Sequence, residues 1–202
     1  QYEKLDGVVS LSLRNNQFDY HGVQDLASSP YLKNLTSLNL MNNAVGDKGL
    51  LLLAESPNLS QLEYLNLENA GITALGILAL SQSPHLSRLK ELNLSGNDLR
   101  EKGLLILAES GNFKNLVKLR ISGVPVGDSG FLALVHSNIL SQLEELEAMG
   151  NTITRKSLDS MTTASKLARL KKLDLRRNKL KEADLIFLAD TPKFQALEAL
   201  RF

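Results

Sequence analysis

The 202-residue sequence contains no cysteine and no tryptophan, and it has only five prolines and three histidines. Without cysteine the chain has no disulfide, no thiolate-bound metal and no cysteine nucleophile. No apolar run approaches the ~18–20 residues that a membrane-spanning helix requires. The formal net charge of +1 indicates no particular class of partner. What remains is a chain whose 43% apolar content is ample for a continuous core.

One short pattern recurs along the whole chain. In Leu62-Glu63-Tyr64-Leu65-Asn66-Leu67, leucine occupies the first, fourth and sixth places, which we number repeat positions 0, 3 and 5. The pattern returns every 27 residues, which gives seven complete repeats and an eighth strand at 197–202. Position 0 of repeats 1 to 8 falls on Val8, Leu35, Leu62, Leu89, Leu116, Leu143, Leu170 and Leu197.

Each repeat predicts one strand followed by one helix. Positions 3 and 5 are two apart, so they point to the same side of a strand, into a core, while positions 2, 4 and 6 point to solvent. Positions 15, 18 and 19 are apolar or small, which predicts the inner face of a helix of two to three turns. Asp47 and Asp128 precede such helices, where acids are favourable, and Pro30 and Pro57 follow them.

Asparagine recurs at position 8, inside the apolar frame. A buried amide without partners costs roughly 1–3 kcal/mol, so we expect each side chain to bond the backbone of the adjacent turn. Ala70 and Val124 interrupt this ladder, and their turns need another solution. The predicted ladder consists of Asn16, Asn43, Asn97, Asn151 and Asn178.

These units predict an α/β solenoid formed by a single domain over residues 1–202. Successive strands must be parallel, with right-handed crossovers. Strands lie ~4.8 Å apart and helices ~8–10 Å apart, so the array must curve with its sheet inside. The expected architecture is a right-handed βα horseshoe with a concave sheet of about eight strands and convex helices. Neither end reads as a cap, which favours a fragment of a longer array over an end covered by self-association.

The repeat resembles the ribonuclease-inhibitor-like class of leucine-rich repeats, from about Leu5 to Phe202. The blocks at 49–57 and 103–110 are similar to the uniform 27-residue arrays of bacterial proteins. The chain lacks the vertebrate inhibitor's cysteine at position 8 and its alternating repeat lengths, so that protein's partners do not carry over. The resemblance implies protein binding, and effectors of intracellular bacterial pathogens are one such branch. The expected location is the cytoplasm, or a host cytosol for an effector, since no signal peptide is visible.

No enzyme signature is present. His21, His85 and His136 fall at repeat positions 13, 23 and 20, and unequal positions two repeats apart do not converge. The sequences at 46–49 and 127–130 have glycines but lack the spacing of a phosphate-binding loop. We therefore expect no catalytic residue, metal site or cofactor.

The concave face is the predicted site of partner binding, because exposed sheet residues on a curved scaffold are where such arrays bind. Tyr64 is the only aromatic residue on its rows, and it lies among amides around Glu68. Further along, opposite charges alternate, which also fits a merely self-neutralised, solvated face. The predicted partner-binding residues are Asn39, Met41, Tyr64, Asn66, Glu68, Glu91, Asn93, Lys118, Arg120, Glu145, Glu147, Lys172 and Arg176.

Two regions near the end of the chain differ from the rest. A basic belt at 166–181 could meet an acidic partner or be a solvated charged face, and it lacks the interleaved aromatics that nucleic-acid binding favours. Repeat 6 has Ala148 at position 5 and a polar helix at 157–163, which predicts a locally loose repeat. The sequence thus favours a noncatalytic scaffold for a protein partner. The alternatives are a targeting module of a larger enzyme and a structural array that assembles end to end.

Overall fold

The computed structural model describes residues 7–139, 141–164, 168–194 and 197–202. Strands and helices alternate throughout, with one of each per repeat. The strands are β1 (Ser10–Ser12), β2 (Ser37–Asn39), β3 (Tyr64–Asn66), β4 (Glu91–Asn93), β5 (Lys118–Arg120), β6 (Glu145–Glu147), β7 (Lys172–Asp174) and β8 (Ala199–Arg201). The helices are α1 (Tyr20–Ser28), α2 (Gly46–Glu55), α3 (Ala74–Ser81), α4 (Arg100–Glu109), α5 (Gly127–His136), α6 (Arg155–Thr163) and α7 (Glu182–Asp190). Short 3₁₀ helices begin at Pro30, Pro57 and Pro192.

The eight strands form one open parallel sheet in the order β1 to β8. Equal repeat positions lie side by side, so Tyr64 is opposite Ser37 on one strand and Glu91 on the other. Each helix packs against the helix of the next repeat. The predicted solenoid of parallel strands and βα units is confirmed.

The core lies between the sheet and the helices. Leu65 and Leu67, at positions 3 and 5 of β3, are fully buried. Leu50 and Leu53 are buried from the inner face of α2 and belong to the same continuous cluster. At ~1.5–3 kcal/mol for each fully buried large apolar side chain, stacking supplies the stability that one repeat alone lacks.

Position 4 was expected to point to solvent, and this is wrong for three repeats, in which its side chain is buried. Asn66, Asn93 and Asp174 are only 6%, 4% and 6% exposed. The Oδ1 atoms of Asn66 and Asn93 accept the backbone N–H groups of Glu68 (2.9 Å) and Ser95 (3.0 Å), two residues further on. In these three repeats, position 4 therefore holds the turn after the strand in addition to forming part of the face.

The asparagine ladder joins consecutive repeats. Nδ2 of Asn43 donates to the carbonyls of Leu13 (2.9 Å) and Leu40 (3.0 Å), which belong to repeats 1 and 2. Its Oδ1 accepts the N–H of Phe18 in repeat 1 (3.0 Å). A buried amide thus binds its own turn and the turn before it.

The interrupted turns are satisfied by the asparagine of the following repeat. Asn97 Oδ1 accepts the N–H groups of Ala70 (3.1 Å) and Ile72 (2.9 Å). Asn151 Oδ1 accepts the N–H of Val124 (2.8 Å) in the same way. A repeat that lacks the asparagine therefore still has its turn held from one side.

Position 7 has a left-handed backbone in all seven turns, a feature that was not predicted from the sequence. Asparagine and glycine adopt this conformation readily, and they fill six of the seven positions. Arg177 is the exception, with φ of 57°. The residues with positive φ at position 7 are Asn15, Asn42, Asn69, Gly96, Gly123, Gly150 and Arg177.

Two acids near the helix starts bind the helix of the next repeat. The carboxylate of Asp47 accepts from Thr73 N (2.8 Å), Thr73 Oγ1 (2.6 Å) and Gly76 N (2.9 Å), all in repeat 3. Asp128 accepts from Thr154 N (2.9 Å) and Oγ1 (2.6 Å) in repeat 6. Each acid was expected just before its helix and lies instead in the first turn of that helix, where it also satisfies N–H or hydroxyl groups at the start of the next helix.

Candidate protein-binding face

The predicted binding residues lie in three rows on the open face of the sheet, at positions 2, 4 and 6. The in-register pairing of the strands places equal positions next to each other from β1 to β8. Most of these side chains are half-buried, so neighbours restrict them while part of each remains accessible. Whether they bind a partner stays a prediction.

At repeats 2 to 4, hydrogen bonds hold the one aromatic residue and the acid beside it. Asn66 Nδ2 donates to the hydroxyl oxygen of Tyr64 (3.2 Å). Asn93 Nδ2 donates to Oε2 of Glu68 (3.0 Å). The two amides are buried, whereas Tyr64, Glu68 and the nearby Met41 are half-buried. This part of the face, which we call the tyrosine zone, presents an aromatic ring, a thioether and a carboxylate in fixed positions.

At repeats 4 to 8, ion pairs connect the strands, and we call this part the ionic zone. Glu145 is paired with Lys118 on one side and with Lys172 on the other (Nζ to Oε1 2.5 Å). Hydrogen bonds from the Lys118 and Lys172 ammonium groups lower the pKa of Glu145 to about 2. The Lys118 ammonium also lies 3.7 Å from Glu147.

Arg120 extends the network to repeat 4. Its Nε donates to Oε1 of Glu147 (3.1 Å), and its Nη1 lies 3.8 Å from Oε2 of Glu91. Glu91 is in register with Lys118, yet its carboxylate lies near Arg120, one row across. The two bases of β5 therefore lie between an acid on β4 and acids on β6.

A groove of about 270 Å³ lies at the far end of the ionic zone. Asp174 is buried beneath it, with Arg176 Nη2 at 2.7 Å and Arg201 Nη1 at 3.6 Å. Burial alone would raise the pKa of Asp174, but the hydrogen bonds from Arg176 outweigh it and lower that pKa. The charged residues that line the groove are Lys118, Glu145, Glu147, Lys172, Asp174 and Arg201.

Asp174 and Arg201 were not among the predicted binding residues, although both occupy position 4. The repeat could have identified both residues, since it aligns Asp174 with Glu147 and Arg201 in one row of the face. The structure adds both to the candidate face.

The basic belt is partly neutralised by the preceding repeat. Lys171 Nζ lies 2.7 Å from Glu144, and Arg169 Nη1 donates to Gln142 (3.1 Å). Arg177 and the lysines near it are exposed. Lys166, also predicted in this belt, lies outside the described residues.

Neither a metal site nor a membrane-spanning helix is found among the described residues. Within residues 7–139, 141–164, 168–194 and 197–202, no three His, Asp or Glu side chains are close enough together to hold a metal ion. In the same part of the chain, no helix is long and apolar enough to cross a membrane.

Comparison with family models finds a leucine-rich repeat at residues 31–54 and again at 85–108. A search of curated proteins finds no significant match. The sequence matches cover parts of repeats 1 and 2, and of repeats 3 and 4. They agree with the leucine spacing that generates the strands and helices described above.

Solved structures of leucine-rich repeat proteins have a similar fold. Internalin C2 of Listeria monocytogenes has a TM-score of 0.61 and 22% identity, over all of this chain and 84% of that one. InlP of the same species has a TM-score of 0.63 and 16% identity, over 99% and 50%. The ectodomain of the Arabidopsis thaliana receptor kinase GASSHO1/SCHENGEN3, solved with CASPARIAN STRIP INTEGRITY FACTOR 2, has a TM-score of 0.54 and 20% identity, over 95% and 20%.

The 27-residue leucine pattern, the parallel sheet with one helix per strand, and the family-model matches lead to one conclusion. The chain has the leucine-rich repeat fold.

Proposed function

We propose that the chain is a noncatalytic scaffold that binds a protein partner on its concave face. The observation that supports this proposal is that polar side chains form continuous rows on that face. Hydrogen bonds and ion pairs to neighbouring side chains hold them in place in the absence of a partner. Such pre-organisation reduces the entropy lost on binding. Extended sheet faces of this kind are the usual binding surfaces of repeat proteins.

The two zones suit different contributions to binding. Tyrosine is enriched at interface centres because its ring offers apolar area and its hydroxyl a hydrogen bond. The tyrosine zone is therefore the proposed anchor. The ionic zone has mutually paired charges, so a partner must offer matched charges to replace or extend these pairs, which favours specificity more than affinity.

The proposed biological setting is a bacterial protein that acts on proteins of another cell. Support for this comes from the similarity of the fold to two Listeria monocytogenes structures and from the uniform repeat length. At 22% and 16% identity, these neighbours supply no partner for this chain.

The test is affinity capture from extracts of host and source cells, with the wild type and three variants of the protein. Tyr64→Ala removes the anchor, and Glu68→Lys reverses one charge on the concave face. Asp25→Lys makes the same charge reversal on the exposed side of α1 and is the matched control. We expect a protein that binds the wild type and Asp25→Lys but loses at least ~10-fold in affinity for each concave variant, as is usual for hot-spot residues. Equal binding by all four versions would refute the concave site.

A further inference from the structure

A row of exposed leucines crosses the outer, helical face at repeat position 16. Leu51 in α2, Leu78 in α3 and Leu105 in α4 are 41%, 39% and 39% exposed, and the neighbouring Leu75 is 65% exposed. These four residues, which we call the leucine row, are half of the exposed large apolar side chains in the described part of the chain. Because α2, α3 and α4 pack side by side, the row is continuous.

The leucine row has defined ends. Position 16 is Gln24 in α1 and Asp159 in α6, and both are exposed. Between them Leu132 in α5 continues the row but is half-buried. Single surface leucines need no explanation, whereas a bounded apolar patch with a polar rim is typical of an interaction site. It lies on the opposite side of the solenoid from the concave face.

Charges flank the row in a regular order. Lys48 and Lys102 lie three residues before Leu51 and Leu105, and Glu55 and Glu109 lie four residues after them. Residues at these spacings share one side of a helix, and all four charged side chains are exposed. Each of these two helices therefore presents a base at its beginning, a leucine in the middle and an acid at its end.

This order is complementary to itself in one orientation. We propose that the leucine row is the interface of a homodimer, in which two copies of this chain pack back to back. A two-fold axis along the row places each helix antiparallel to the same helix of the second copy. Lys102 then faces Glu109 of the partner subunit, and symmetry makes every such contact twice. Lys48 and Glu55 of the partner subunit meet in the same manner.

The other face-to-face arrangement does not pair these charges. A two-fold axis along the helices would place α2 against α5 and α3 against α4, with equal repeat positions opposed. Lys102 would then face Leu75 of the partner subunit, and Lys48 would face Ser129. Apolar burial alone would not distinguish the two arrangements, but the charges favour the antiparallel one.

The surface also provides space for the second copy's side chains. A groove of about 330 Å³ between α2 and α3 is lined by Leu51, Leu75, Leu78 and Ala79, among others. Packing of helices proceeds by inserting ridges of side chains into such grooves. The concave face remains free in this dimer, so the inference is independent of the proposed function.

Sedimentation velocity over a range of about 1–200 µM tests the proposal, a range that covers the weak end of specific association. The wild type is expected to shift from monomer to dimer. Leu78→Glu should be monomeric throughout, while Ile186→Glu should dimerise like the wild type. Ile186 is 59% exposed on α7, outside the row, so it is the matched control. Circular dichroism establishes that both variants fold.

Charge exchange tests the orientation. Lys102→Glu should weaken dimerisation by about tenfold or more, because two symmetry-related ion pairs become repulsive. Adding Glu109→Lys to the same chain restores opposite charges and should restore the dimer. A wild type that stays monomeric, or a dimer that survives Leu78→Glu, would overturn the proposal. A double variant no better than Lys102→Glu would overturn the antiparallel arrangement.

Discussion

Replacing Asn97 with alanine tests the asparagine ladder at a buried junction between two repeats. The Asn97 amide donates to the carbonyls of Leu67 (2.8 Å) and Leu94 (2.9 Å) and accepts from Ala70 and Ile72. The turn of Ala70 lacks a ladder asparagine of its own, so the N–H of Ala70 depends on Asn97. Asn97→Ala leaves at least two buried N–H groups without this acceptor, each at a cost of ~1–3 kcal/mol. We expect a loss of about 3 kcal/mol or more in the free energy of unfolding.

Asn16→Ala is the control, because Asn16 occupies the same repeat position but is exposed. Its amide donates to Leu13 (2.8 Å) and Arg14 (3.2 Å), whose carbonyls water can reach. The expected loss is below about 1 kcal/mol. Urea unfolding followed by circular dichroism, analysed with a nearest-neighbour model suited to repeat arrays, measures both. Equal losses for the two variants would refute the role assigned to the ladder.

Three further predictions concern single side chains. Asp47→Ala should lower the free energy of unfolding by about 1–2 kcal/mol, because it removes the acceptor of three hydrogen bonds from Thr73 and Gly76 at the start of α3. Glu101→Ala, at the same repeat position, should change that free energy by less than ~0.5 kcal/mol. Two neutral variants in urea titration would contradict this prediction. Arg177→Gly should stabilise by about 0.5–1 kcal/mol by relieving its left-handed backbone, and a lower thermal midpoint would count against that strain. Glu145 has a pKa of about 2 in the fold and near 4.5 when unperturbed, so it contributes stability that is complete above about pH 4.5 and is lost as pH falls towards 2. Between pH 4.5 and 2, Glu145→Gln should therefore lose less stability than the wild type. If the free energy of unfolding falls equally in both proteins over this range, Glu145 does not contribute to the pH dependence.

The repeat period was sufficient to predict the fold, because position decides burial in a stacked array. Leu65 and Leu67 are core, and strand register follows from equal spacing without any further information. The contact between Arg120 and Glu147 arises for the same reason, since neighbouring strands bring equal positions together.

Contacts between turns could not be predicted in the same way. The bond from Thr73 to Asp47 joins position 11 of one repeat to position 12 of the repeat before, and leucine spacing says nothing about such offsets. The left-handed backbone at position 7 did leave a signal, in the near-constant choice of asparagine or glycine, and Arg177 obscured it. The predicted looseness of repeat 6 stays a prediction. Its Ser157 is buried and donates to Asp128 (2.5 Å), so this polar residue makes a specific contact with repeat 5.

Site-specific cross-linking tests the concave face most directly, because the chain has no native cysteine and each probe is unique. A photo-reactive group is attached to Ser37→Cys, beside Tyr64 on the sheet, or to Gln24→Cys, on the outside of α1. After irradiation in cell extract, we predict a cross-link to a second protein from Ser37→Cys that disappears when Glu68→Lys is added. Gln24→Cys should give no cross-link to that protein. The same adduct from both probes, or from Gln24→Cys alone, would contradict binding on the concave face.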